Sequence, residues 1–293
     1  MEFWQSLALT EMDELIELAK FAEDVGFAGI TISDHLATPK TIETRYPYTE
    51  DGNPMWAPND AFPDPWVLIA AMAQETNRIR FMPFVYVLPM RDPFSVAKLL
   101  SSAAVLSGER VVFGAGTGWM EEEFALVHRE FRRRGRRADE MFEVIGKLLS
   151  GKAVDHEGEF YRFEGLHMTP CPERPVEVRI GGLTEVSLRR AARHDGWLGL
   201  THTPEEISEV KSFLDRERER LGRSEVPFDM MVAHYPSTPD AKEYERFRDV
   251  GVDSVNVPPW RYRGLESISL EEKRRSLEEF AERYIVPMAG QGG

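Results

Sequence analysis

Along most of its 293 residues the chain repeats one alternation. A short apolar run comes first, then a break of Asp, Gly or Pro, then a stretch with helical spacing. The apolar runs fall at 3–9, 27–33, 79–88, 111–113, 176–180, 196–200, 228–232 and 252–257. Helix starts follow them: Thr10 with Asp13, Asp64-Pro65, Asp92-Pro93, Thr203-Pro204, Thr238-Pro239-Asp240, and Ser269 with Glu272. Each puts a side-chain acceptor, a proline or an acid where a first helical turn has unpaired N–H groups. Strand-then-helix units in one direction require a parallel sheet with crossover helices. Roughly eight such units in a chain of this length predict an α/β fold of the (β/α)8 TIM barrel type, rather than an open doubly wound sheet. Two stretches break the rhythm, an insertion at 36–63 after strand two and another at 152–175 before strand five. No Pro/Gly/Ser-rich linker divides the chain, so residues 1–293 read as a single domain.

The composition narrows the function. Fifty acidic against 36 basic residues give a net charge of −14, which argues against nucleic acid as a partner. No apolar run approaches a membrane span, and the N-terminal stretch MEFWQSLALTEMDE lacks the basic and apolar regions of a secretion signal. One cysteine, Cys171, allows no intramolecular disulfide and points to a reducing cytoplasm. The seven histidines show no metal-ligand spacing, so no metal is expected.

In a barrel the working groups gather where strands end. Those positions are Asp34-His35, the end of strand three, 114–119, Gly181-Gly182, Thr201-His202 and the segment after Val232. Asp34-His35 is the sharpest polar pair there: His35 exchanges protons near neutral pH, or else packs beneath the insertion while Asp34 caps a loop. Gly114, Gly116 and Gly118 superficially match a dinucleotide fingerprint. They follow the fourth strand, however, and that fingerprint belongs after the first. Together with Gly181-Gly182 they suit an elongated ligand with a polar or anionic part, or simply tight turns. Glu121, Glu122 and Glu123 lie in a helix's first turn, where carboxylates are favoured by the dipole; one of them is open to acid/base work. The arginine cluster at 132–137 is either a salt-bridged helix entrance or a contact for an anionic tail. There is no GxSxG elbow, and Cys171 sits between Pro170 and Pro172 in an irregular stretch, so nucleophilic catalysis is disfavoured.

Several stretches in order, GFAGITISDHL, LPMRDPFSVAKLLSSAAVLSGERVVFGAGTGWMEEEF, GEFYRFEG, PCPERPVEVRIGG and SLRRAARHDGWLGL, resemble the bacterial-luciferase-like flavin and deazaflavin oxidoreductases. SDHL followed by RYPY and a Trp/Pro-rich insertion is most similar to the branch using coenzyme F420; the FMN-dependent monooxygenase branch competes. The resemblance implies a (β/α)8 barrel and hydride transfer between the deazaflavin and a small organic substrate. It places Asp34 and His35 beside the ring. It puts a bulge, often a non-proline cis peptide, near Phe84-Val85 behind the ring. Gly116, Thr117, Gly118, Trp119, Gly181 and Gly182 would hold the ribityl-phosphate side. Some relatives carry Glu where this chain has Trp119, which shifts the proton-donor role to His35 or Glu122. A homodimer is implied as well. The alternatives are an FMN-dependent monooxygenase and, in another class, a non-catalytic flavin- or deazaflavin-binding protein.

Overall fold

A computed structural model describes residues 1–200, 202–236, 239–263 and 268–289. In it the alternation closes into a barrel. In chain order the strands are β1 (Glu2–Ser6), β2 (Gly29–Ile32), β3 (Arg80–Pro83), β4 (Tyr86–Val87), β5 (Phe113–Gly116), β6 (Val154–Glu157), β7 (Arg162–Leu166), β8 (Val178–Gly181), β9 (Gly196–Gly199), β10 (Asp229–Ala233) and β11 (Ser254–Val257). The antiparallel pair β6–β7 stands apart as a hairpin. The other nine form one parallel sheet in the order β3-β2-β1-β11-β10-β9-β8-β5-β4. Its two ends, β3 and β4, are halves of the single run expected at 79–88, so the nine segments make eight staves. A parallel bridge between Phe81 and Val111 completes the ring.

Around the barrel run α1 (Leu15–Asp24), α2 (Pro65–Gln74), α3 (Pro93–Leu106), α4 (Glu121–Leu126), α5 (Arg134–Leu148), α6 (Glu185–Ala191), α7 (Pro204–Arg220), α8 (Ala241–Asp249) and α9 (Leu270–Phe280). Their starts follow the capping chemistry of the sequence. Asp64 accepts from the Trp66 and Val67 N–H groups ahead of Pro65, and Asp92 accepts from Ser95 N ahead of Pro93. Thr203 with Glu206, and Ser269 with Glu272, form reciprocal capping boxes. Thr10 does not cap: α1 begins at Leu15 behind Glu14. Strand one ends at Ser6, and by Leu9, at φ 54°, the chain has already turned. Thr238 lies outside the described residues, and Asp240 alone caps α8.

Strand alternation sorts side chains into an outer core and an inner stack. Phe3, Ile30, Phe81, Phe113 and Val255 face the helices in one large apolar cluster. Trp4, Met82, Val112, Leu198 and Met231 fill the barrel's middle. Below them Arg179 pairs with Asp229 at 2.5 Å, Ser254 donates to the same carboxylate, and Arg80 and Arg179 lie over the Trp4 ring. Above them, at the mouth, are Ser6, Thr31 and Asn256, with glycines on the opposite side.

Those glycines are where the sequence reading needs correcting. Gly114 and Gly116 are strand residues, and the turn comes later, at Gly118 (φ +75°). A Cβ on Gly114 would stand 2.1 Å from Pro83 O, and one on Gly116 2.6 Å from Val85 Cγ2. Close approach of β3 and β4 requires glycine here; a left-handed backbone does not. The EGEFYRF stretch spans the turn of the β6–β7 hairpin.

His194, between α6 and β9, gives the fold a measurable pH response. Burial first, then Arg223, Arg190 and Arg193 against the opposing pull of Asp139, lowers its pKa from 6.5 to about 4. Its ring lies 4.8 Å from that of Phe142. The unfolded chain therefore takes up this proton first as pH falls, and stability declines between pH 6.5 and about 4. Full expression of that difference is about 3 kcal/mol. Urea denaturation across this range should show His194→Gln flattening the pH slope relative to wild type; an unchanged slope would exclude His194 as its source.

Candidate active site

Asp34 and His35 follow β2 directly and part company in function. The Asp34 carboxylate is buried and accepts three hydrogen bonds at 2.7 Å, from Val87 N, Arg91 Nη1 and Arg91 Nη2. Burial pushes its pKa up, and Arg91 and the Val87 N–H oppose this. All three contacts are donors, so the geometry binds the carboxylate form. Arg91 in turn lies over the Tyr86 ring at 4.4 Å. Asp34 is thus taken up in joining β2 to the segment after β4.

His35 points into an aromatic pocket. Its ring centroid lies 4.8 Å from Trp56, 4.9 Å from Phe62 and 6.2 Å from Trp119. Tyr46 closes the group, 4.9 Å from Trp119 and 5.3 Å from Trp56. His35 Nδ1 stands 3.0 Å from Glu123 Oε2, and Glu123 Oε1 accepts from Leu36 N at 2.7 Å. With Nδ1 given to a carboxylate, Nε2 is the nitrogen left to meet a ligand.

The acid beside His35 is therefore Glu123. Glu122 accepts from Glu43 N at 2.6 Å and Thr44 N at 2.8 Å, tying down the insertion. Burial raises its pKa, but the Thr44 and Glu43 N–H groups prevail and hold it below the usual carboxylate range. A carboxyl group stabilised as the anion is poorly suited to giving up a proton. Helical spacing carried the distinction: Met120, Glu123 and Phe124 form an i, i+3, i+4 stripe, all buried.

An apolar wall at the end of β2 is built from the split stave. The Phe84–Val85 peptide is cis, at the position the resemblance implied. Phe84 N donates to Ile32 O at 2.7 Å, holding the break against β2. Val85 projects between two strand ends, where Cβ atoms on Gly116 and Gly181 would come within 2.6 and 2.8 Å of it. Thr117, Gly118 and Trp119 continue from β5 to the aromatic group, and Gly118 O accepts from Arg134 Nε at 3.1 Å. Gly182 takes φ +136°, and its carbonyl accepts from Trp197 Nε1 at 2.9 Å. Elsewhere in the arginine cluster, Arg133 and Arg136 pair with Glu159 of the hairpin. His202 packs near Trp197 at 5.7 Å; Thr201 lies outside the described residues. Among the described residues no helix is long and apolar enough to cross a membrane.

Residues 3–255 match the family model described as luciferase-like monooxygenase, and the chain belongs to that family. An uncharacterized protein of Mycobacterium tuberculosis is 38% identical over 290 residues, covering 98% of this chain and 99% of the relative. An F420-dependent glucose-6-phosphate dehydrogenase of Gordonia bronchialis is 29% identical over 289 residues, covering 93% of this chain and 79% of the relative. The crystal structure of monooxygenase RslO1 from Streptomyces bottropensis superposes with a TM-score of 0.76 at 19% identity, covering 99% of this chain and 100% of that one. That likeness establishes the shared fold.

The two carboxylates on either side of His35 make separable predictions. Asp34→Ala leaves Arg91 buried without its partner and should cost about 3–5 kcal/mol, read from urea denaturation. Glu123→Ala should instead cost about 1.5–3 kcal/mol of global stability, the net value of a hydrogen bond to a charged group. It should speed limited proteolysis within 36–63. Proteolysis at the wild-type rate would show that Glu123 does not hold the insertion.

Proposed function

We propose that the protein is an F420-dependent oxidoreductase that transfers a hydride between the deazaflavin and a small organic substrate. The observation that carries this reading is His35. It follows β2, to whose last residue Phe84 N is bonded, with Nδ1 fixed by Glu123 at 3.0 Å and Nε2 directed away from that carboxylate. The F420-dependent relative supports the choice of cofactor.

The residues fit a flat, elongated cofactor. Phe84 and Val85 offer an apolar face, and glycines at 116 and 181 keep the strand ends beside it low. Gly116, Thr117, Gly118 and Trp119 on one side, and Gly181 and Gly182 on the other, offer backbone groups to the ribityl-phosphate part. When bound, the deazaflavin supplies or accepts the hydride. The chain's own work is orientation, exclusion of water and proton handling. Trp56, Phe62, Tyr46 and Trp119 cover His35, so its proton is exchanged in a dry setting. His35 then holds or delivers one proton at Nε2, with Glu123 fixing the ring. Asp34 acts on the ring's surroundings through Arg91 and Val87.

Titration with F420 and with FMN, followed by quenching of ligand fluorescence, decides the cofactor. F420 should bind in the micromolar range or tighter. Binding of FMN alone would replace this reading with the FMN-dependent monooxygenase, and binding of neither would remove both. His35→Ala should lower turnover about 100- to 10,000-fold, the range for general acid–base catalysis. Its F420 affinity should change far less; equal losses in both would make His35 a binding residue only.

A further inference from the structure

The barrel mouth has a second side that the cofactor reading leaves unused. Facing the apolar wall, on the ends of β1, β2 and β11, stand Ser6, Thr31 and Asn256. They are buried, yet this layer lies directly above the apolar middle of the barrel. Burying so many polar groups is costly unless they are joined. Thr31 and Asn256 are joined in a chain with a direction. Thr31 Oγ1 donates to Asn256 Oδ1 at 2.8 Å, and Asn256 Nδ2 donates to Tyr235 Oη at 3.2 Å. Ser6 Oγ, beside this chain, accepts from Ala8 N at 3.4 Å. The Tyr235 oxygen thus accepts at the end of the chain, and its own O–H is the donor left over.

Tyr235 follows β10 at the strand-end rim, and the residue is 39% exposed. One terminal nitrogen of the nearby Arg261 is taken up by Ala8 O. What this side offers a ligand is a neutral donor backed by a neutral chain, a match for an uncharged oxygen.

We propose that Tyr235 is the substrate-binding donor of this site, and that the substrate class is neutral organic compounds bearing a carbonyl or hydroxyl oxygen. Thr31 and Asn256 are positioning residues that orient the phenol. The assignment rests on the oxidoreductase reading above, because that reading puts the hydride-carrying face on the opposite wall.

The test uses carbonyl-13C cyclohexanone as probe, titrated into the protein with and without F420. Its carbonyl resonance should move downfield on binding, as it does when the oxygen accepts a hydrogen bond. Tyr235→Phe should abolish the shift and weaken binding about tenfold, the loss of one hydrogen bond. Tyr235→His, which restores a donor, should recover part of the shift. F420 affinity should be the same in all three proteins. An undiminished shift in Tyr235→Phe, or no shift with wild type in either form, would overturn the proposal. Cyclohexanecarboxylate binding more tightly than the ketone would overturn the neutral class and make Arg261 the anchor. Failure of F420 to bind, with a ketone shift still lost in Tyr235→Phe, would sink the cofactor reading while leaving the donor assignment standing.

Discussion

The barrel is closed at its mouth by a side chain rather than by a continuous backbone ladder. β3 pairs with β2 and β4 pairs with β5, and the stave breaks between them at the cis Phe84–Val85 bond. Beyond the break, the Asp34 carboxylate crosses from the end of β2 to Val87 N and to both terminal nitrogens of Arg91. One fully engaged anion thus stands in for the missing ladder. Everything at the mouth is referenced to it: His35 is its neighbour in sequence, and Val85 and Val87 are set by the segment it holds.

Other carboxylates extend the same device outward. Residues 33–64 contain no regular helix or strand, so their backbone N–H groups need partners from elsewhere. Glu123 takes those of Leu36 and Ala37, and Glu122 those of Glu43 and Thr44. Both acids sit in the first turn of α4, where the helix dipole favours them as anions. Glu123 reaches His35 with its second oxygen, so the group that steadies the cover also sets the imidazole. Opening the cover and freeing the imidazole are, for this residue, one event.

How far the sequence could be read follows from what each position depends on. The strand–helix alternation and most helix starts depend on local periodicity and capping, and these were legible. Asp34-His35 could be picked out because a polar pair at an apolar strand's end is unusual wherever the fold puts it. The separate fates of the two residues depend on Arg91, which lies 57 residues further on, a distance no local pattern spans. The Glu122–Glu123 distinction, by contrast, lay in the buried stripe of Met120, Glu123 and Phe124, whereas the chain of Thr31, Asn256 and Tyr235 joins both ends of the sequence.

The glycines show what sets this stretch apart from the phosphate-binding loop it superficially matches. Phosphate-loop glycines free the backbone to bend, and their ligand lies on the N–H side. Here Gly114 and Gly116 keep ordinary strand geometry, and Pro83 O and Val85 occupy the space a Cβ would take. Gly181, on the next stave, yields the same space to the other methyl of Val85. A bulky residue at 116 or 181 would therefore push Val85 before it met any ligand. The absent side chains at 114, 116 and 181 therefore act on the site through the wall they let stand. What their backbone groups offer is separate from that, and the side-chain donors and acceptors of the rim are those of His35 and Tyr235.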